Sequence, residues 1–128
     1  MICRLLLRLV LASPLFYSAL ILASEPEYMT GNELYEYLGD WKKSAGQTPD
    51  AIDALKGGFG FGYVMGIASS MDRIYEPTLK TRFCTPDHVK RSQLFDVAYQ
   101  YIESHPEYRQ YSANGMVELA FSKAFPCK

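Results

Sequence analysis

The sequence has little of what most catalytic and metal sites are made from. Its 128 residues hold 2 histidines and 3 cysteines. No two cysteines stand in a C-x-x-C spacing, so neither a dithiol redox centre nor a zinc ribbon is signalled. His88 and His105 are too few and too isolated for a typical zinc site. His105 precedes Pro106 at a helix end, where a cation suits the dipole, and both histidines read as capping or solvated residues. Asp87 and His88 are adjacent like an acid–base pair, but no nucleophile or metal motif accompanies them. Positive charge is also lacking: 13 Lys and Arg against 14 Asp and Glu give a net charge of -1, with no basic footprint for nucleic acid. The expectation is a protein that is not an enzyme, binds no cofactor or metal, and works by binding another protein.

What is present begins with "MICRLLLRLVLASPLFYSALILASE". Arg4 and Arg8 make a positive start, an apolar run follows from Leu9 to Ala23, and Ser24 precedes acidic Glu25. This is the layout of a secretory signal peptide over 1–23. The run is short for a membrane span of about 20 apolar residues and contains Pro14, so cleavage is favoured over a retained anchor. The domain is then 24–128, with a net charge of -3 once Arg4 and Arg8 are gone. Cys3 leaves with the signal. Cys84 and Cys127 remain, and an exported domain with two cysteines is expected to join them.

Helical periodicity fills most of the domain. Thr30 and Glu33 have the spacing of a capping box, and Leu34, Tyr37, Leu38 and Trp41 make an apolar face, predicting a helix over 30–44. Gly46 is a plausible stop. Thr48 as N-cap and Pro49 at the first turn predict the start of a second helix over 49–74. That helix must absorb five glycines between 57 and 66, each costing about 1 kcal/mol relative to alanine in a helix interior. Gly58, Gly62 and Gly66 are four apart and form a stripe that would let another helix backbone approach. Phe59, Tyr63 and Ile67 form the bulky stripe beside it. The run lacks the strand–loop–helix context and the lysine of a phosphate loop. It is also flanked by Lys56 and Asp72, too close together for a membrane helix.

A loop with Pro77 and Pro86 follows, and long loops often carry function. Two further helices are predicted. Leu94, Val97, Ala98, Tyr101 and Ile102 mark one at about 90–104. Ala113, Met116, Val117, Ala120, Phe121 and Ala124 mark another at 112–124, behind Ser112 as N-cap. A short connection makes these neighbours antiparallel, and Cys84–Cys127 would staple the open end of the hairpin. The predicted fold is therefore all-α: a compact bundle of about four helices with one disulfide.

The ordered set Gly31–Asn32–Leu34, Gly62–Tyr63–Gly66, Phe83–Cys84–Pro86, Gln93–Leu94, His105–Pro106–Glu107 and Phe125–Pro126–Cys127 resembles the Rap/Tai family of type VI secretion immunity proteins over about 30–127. The resemblance implies an all-helical periplasmic protein, commonly a homodimer, that occludes a peptidoglycan amidase effector. Family members often carry two more cysteines, at the positions of Leu38 and Gly60 here. Their joint absence removes one covalent anchor of the first helix on the second. The segment expected to contact an effector is the loop 72–83, with Tyr75, Glu76, Lys80 and Arg82. The rival reading is a small periplasmic acid-stress chaperone of the HdeA kind, opening by carboxylate protonation, or a helical binding protein with no toxin partner.

Overall fold

The computed structural model describes residues 28–44 and 48–128. The signal-peptide reading of 1–23 and the stop at Gly46 lie outside these residues. Four α-helices follow in order: α1 (Gly31–Ser44), α2 (Ala51–Met71), α3 (Arg91–Ser104) and α4 (Ala113–Ala124), with a 3-10 turn at Pro106–Tyr108 between the last two. Among the described residues there is no strand, only isolated bridges, Thr30 with Ser112, Glu76 with Thr81 and Phe83 with Pro126. No helix among them is long and apolar enough to cross a membrane. The fold is all-α.

The capping box at the start of α1 forms. The Thr30 backbone N–H donates to Glu33 Oε2 at 2.7 Å, and the Glu33 N–H donates to Thr30 Oγ1 at 3.3 Å. These bonds to Thr30 hold the Glu33 carboxyl below its ordinary pKa. A chain crossing from the other end of the domain completes the cap. Gly31 N donates to Tyr111 O and Asn32 N to Arg109 O, both at 2.9 Å. Two of the orphan donors of a helix start are thus satisfied by backbone remote in sequence. Arg109 in turn donates to the carbonyls of Ile102 and Glu103 at 2.8 Å each, closing the end of α3, and lies 3.7 Å from the Tyr35 ring centroid.

The start of α2 differs from expectation. The N-cap is Asp50, not Thr48, and its carboxylate accepts from Ile52 N and Asp53 N at 2.8 and 2.9 Å. A carboxylate at this position also suits the positive end of the helix dipole. The helix then runs unbroken through all five glycines. Propensity is outweighed by packing, but the glycines that pack are not the predicted ones. A methyl group on Gly57 would lie 2.9 Å from Trp41 Cα and N, and one on Gly60 2.9 Å from Tyr37 Cβ. Those two let α2 press on α1 at backbone distance. Gly58, Gly62 and Gly66 are exposed, and a methyl group on any of them would meet nothing within 4 Å. The predicted packing stripe therefore faces outward. The reason is that small residues recur on both sides of α2, and only the bulk opposite, at Tyr37, Leu38 and Trp41, decides which side closes.

This contact falls at Leu38 and Gly60, the two positions where the resemblance would place cysteines. Leu38 Cδ2 sits 3.3 Å from where a Gly60 Cβ would be. A fully buried leucine packs against a glycine there, and α1 docks closely on α2 with no covalent link between them among the described residues. Trp41 stacks on Phe61 with ring centroids 4.9 Å apart, and Lys56 Nζ meets Glu36 Oε1 at 3.2 Å.

One core unites the helices: Leu34 and Leu38 from α1, Val64, Ile67 and Ala68 from α2, Leu94, Phe95, Ala98, Tyr101 and Ile102 from α3, and Ala113, Met116, Val117, Ala120 and Phe121 from α4. Of the three residues of the predicted bulky stripe on α2, Phe59 is 56% exposed, Tyr63 is half-buried and Ile67 is buried. Ala124, placed on the apolar face of α4 by its spacing, is exposed because the helix ends there. The Cys84–Cys127 disulfide is formed, with Cα atoms 4.9 Å apart, and staples the C-terminal helical pair.

Candidate functional site

The loop after α2 is built to hold a fixed shape. Arg73 N donates to Phe83 O at 2.8 Å, closing its neck. Above the neck, Glu76 and Thr81 exchange backbone bonds at 2.9 and 3.2 Å, leaving Pro77–Lys80 as the tip. The Glu76 carboxylate accepts from Thr78 N at 2.7 Å, and Arg82 Nε donates to Arg73 O at 3.0 Å. Asp72 joins the neck to the next segment by accepting from Thr85 N at 2.7 Å and pairing with Arg73 Nε at 3.2 Å. Arg73 and Lys80 have φ of 65° and 52°. Non-glycine residues in this left-handed region cost roughly 1–2 kcal/mol each and persist where surrounding contacts over-determine them.

Those contacts are at the root. Phe83 is buried, packs on Phe121 of α4 at 5.2 Å between centroids, and bridges to Pro126. Cys84 N donates to Phe125 O at 2.8 Å, and the disulfide follows directly. The staple expected to close a helical hairpin therefore also anchors the stem of this loop to the end of α4. Its position one residue past Phe83 makes the loop a projection from the core.

What the loop presents is mixed. Tyr75, Lys80 and Arg82 are exposed. Glu76 is half-buried, and its carboxylate and backbone are both spent inside the loop, so it shapes the tip more than it faces outward. Three residues not singled out from the sequence join the surface: Ile74 and Leu79 on the loop, and Tyr111 beyond the 3-10 turn, all exposed. Leu79, Tyr108, Tyr111, Ser112, Gly115, Met116 and Leu119 line an apolar hollow of about 420 Å³. Apolar residues inside a proline-flanked loop ("RIYEPTLK") were the available signal for Ile74 and Leu79. For Tyr108 and Tyr111 there was none, because only the fold brings residues 29 and 32 positions downstream beside Leu79.

Beneath the loop lies an acid. Glu118 of α4 is 4% exposed and none of the ion pairs among the described residues reaches it. Burial pushes its carboxyl pKa up, the Glu76 carboxylate pushes it further, and a bond from Asn114 opposes both. The same surroundings raise Tyr63, chiefly through burial. Among the described residues no group of three or more His, Cys, Asp or Glu side chains is placed to hold a metal. The surface can offer shape, aromatic and aliphatic area, and two cations; those are the means of gripping a protein.

The family model of the Rap1a immunity proteins matches residues 30–127, and the chain belongs to that family. A comparison with curated proteins gives no significant match. Membership makes this an immunity protein, a type of protein that binds a cognate effector and is generally not an enzyme.

Proposed function

We propose that this immunity protein is exported to the periplasm by residues 1–23 and there silences a peptidoglycan-cleaving amidase delivered by type VI secretion. It inserts the loop 72–83 into the amidase cleft and excludes substrate; it performs no turnover of its own. The observation that carries this reading is the loop itself. Tyr75, Lys80 and Arg82 project from a stem fixed by Phe83 and a disulfide, beside the apolar hollow under Leu79. A pre-shaped projection binds with less ordering cost than a mobile one. An aromatic side chain flanked by cations is also the usual make-up of an interface anchor. The disulfide supports an oxidising compartment.

The test is a titration of the mature chain against the cell-wall amidase encoded nearest to it. Tyr75→Ala with Lys80→Ala lowers affinity by a hot-spot amount, about 2 kcal/mol or more, with no fall in Tm. Unchanged affinity removes the loop from the interface. No binding to any such amidase removes the amidase from the reading.

A further inference from the structure

The chain has one tryptophan, and it is not buried. Trp41, in the last turn of α1, is 38% exposed. It opens onto a groove of about 380 Å³ between α1, α2 and α3, lined by Trp41, Lys42, Phe61, Ser92, Phe95 and Asp96. A small-molecule site usually measures about 300–1,000 Å³, with a mostly apolar lining and a few polar groups. The groove shares no residue with the loop 72–83 or with the hollow under Leu79.

The inside of the groove is aromatic. Trp41 and Phe61 stack at 24° with centroids 4.9 Å apart, and Phe95 lies 6.4 Å from Trp41 and 6.1 Å from Phe61. Three rings from three helices hold one another in place. The edge of the groove is polar, with Lys42, Ser92 and Asp96 all exposed. Ser92 and Asp96 are four apart on α3, so they stand on one face with Cβ atoms about 5–6 Å apart. None of the side-chain hydrogen bonds or ion pairs among the described residues uses either of them. Lys42 Nζ comes from α1 and sits 4.3 Å from the ring centroid of Tyr99, one turn along from Phe95. That contact leaves its three donors free.

We propose that this groove binds a neutral pyranose, one ring of a glycan chain. The lining carries one cation and one anion, so a ligand of either charge gains at Lys42 or Asp96 and loses at the other. Exposed charge pairs also contribute little in water, so the aromatic floor decides the ligand. An alkyl or plain aromatic group would cover the rings, but it would strip water from Ser92 and Asp96 and put nothing in its place. A pyranose answers both halves of the site. The C–H bonds on one side of the sugar form a flat, slightly positive patch that suits the negative π-system of the rings. Its hydroxyls both donate and accept: Asp96 accepts from one or two of them, Ser92 exchanges with another, and Lys42 donates. The gap between Ser92 and Asp96 is one that a single six-membered ring and its hydroxyls can span. The site needs no amidase and stands whether or not the loop binds one.

The experiment is a fluorescence titration of the mature chain, in which Trp41 is the only tryptophan and reports on the groove directly. One arm uses the β-1,4-linked tetramer of N-acetylglucosamine and the other maltotetraose, which separates an amino-sugar glycan from a plain glucan. At least one of them shifts the Trp41 emission in a saturable way. Asp96→Asn lowers that affinity about 10-fold by removing a charge-assisted acceptor, and Ser92→Ala lowers it about threefold. Neither variant changes Tm, since both side chains are exposed and unpaired among the described residues. Arg82→Ala on the loop leaves sugar binding as it was. No emission change with either oligosaccharide up to its solubility limit overturns the proposal. So does a change that Asp96→Asn and Ser92→Ala both leave intact, which would be unspecific stacking. If neither sugar moves the Trp41 emission but the amidase does, the groove belongs to the effector and the proposal falls.

Discussion

Two exposed apolar surfaces of this molecule are made in opposite ways. The loop 72–83 is irregular, holds two residues at positive φ, carries both signs of charge, and takes its shape from a buried phenylalanine and one covalent bond. The α2 face is regular helix, exposes no charge, and takes its shape from the contact of Gly57 and Gly60 with α1 behind it. An irregular, charged projection has no symmetry and fits a partner unlike itself. An uncharged face with small residues spaced along it offers contact area without a charge pattern to choose a partner. The difference teaches that the two surfaces are supported by separate parts of the core and can be broken separately.

The largest effect is expected from the disulfide. Cys84→Ser with Cys127→Ser opens a closure of 43 residues, worth about 4 kcal/mol in the chain-entropy model. Denaturant unfolding measures the loss. Effector affinity should fall more than that of a stabilised control, because the loop stem is released. Under conditions where the variant is still folded, amide-exchange protection of α2 should be unchanged. Equal damage to both surfaces would end the claim that they are independent.

The reverse break comes from α2. Gly57→Ala forces a methyl group to 2.9 Å from Trp41 backbone atoms, which cannot move as a flexible side chain can. A cost of roughly 1–3 kcal/mol is expected, in the range of overpacked cores. Gly39→Ala, on the open side of α1 with nothing within 4 Å, should instead gain up to about 1 kcal/mol from helix propensity. Thermal melts of the two variants should move in opposite directions. If both stabilise, the close approach of α1 and α2 is not real.

The smallest effect sharpens the link between loop and core. Burial and Glu76 raise the Glu118 pKa, so folding disfavours its charged form. For a carboxyl with a raised folded pKa, the unfavourable term is present above that pKa and is relieved as pH falls through it toward the ordinary value of 4.5. Glu118→Gln should therefore raise Tm near neutral pH, by about 1 kcal/mol or less of stability. The advantage should shrink to nothing near pH 4.5. An advantage independent of pH would show that packing, not charge, is responsible. The direction also bears on the acid-chaperone reading, since this carboxyl makes the fold more stable on mild acidification, the reverse of an opening trigger.

Much of the fold could be read from local chemistry. The capping box of Thr30 and Glu33 fixed the start of α1, the stripe from Leu34 to Leu38 its inner face, and Pro106 and Pro126 the ends of α3 and α4. Each depends on residues within a turn or two of one another, and so does not need the rest of the molecule. The disulfide followed from arithmetic once Cys3 was assigned to the leader. The loop was legible as a candidate because prolines and mixed charge set it apart. Its true extent was not, since Tyr108 and Tyr111 reach it only through the path of the chain.

The amino-acid order by itself determined four helices, their approximate ends and one possible cysteine pair, because these are set by neighbours along the chain. Tertiary structure alone decided which glycines of α2 turn inward, that Glu118 is buried under Glu76, and that the disulfide roots a loop as well as closing a hairpin. A helix with small and apolar residues on every side carries no local preference for which side to bury. That choice is made by the shape of what packs against it, here the tyrosine, leucine and tryptophan of α1.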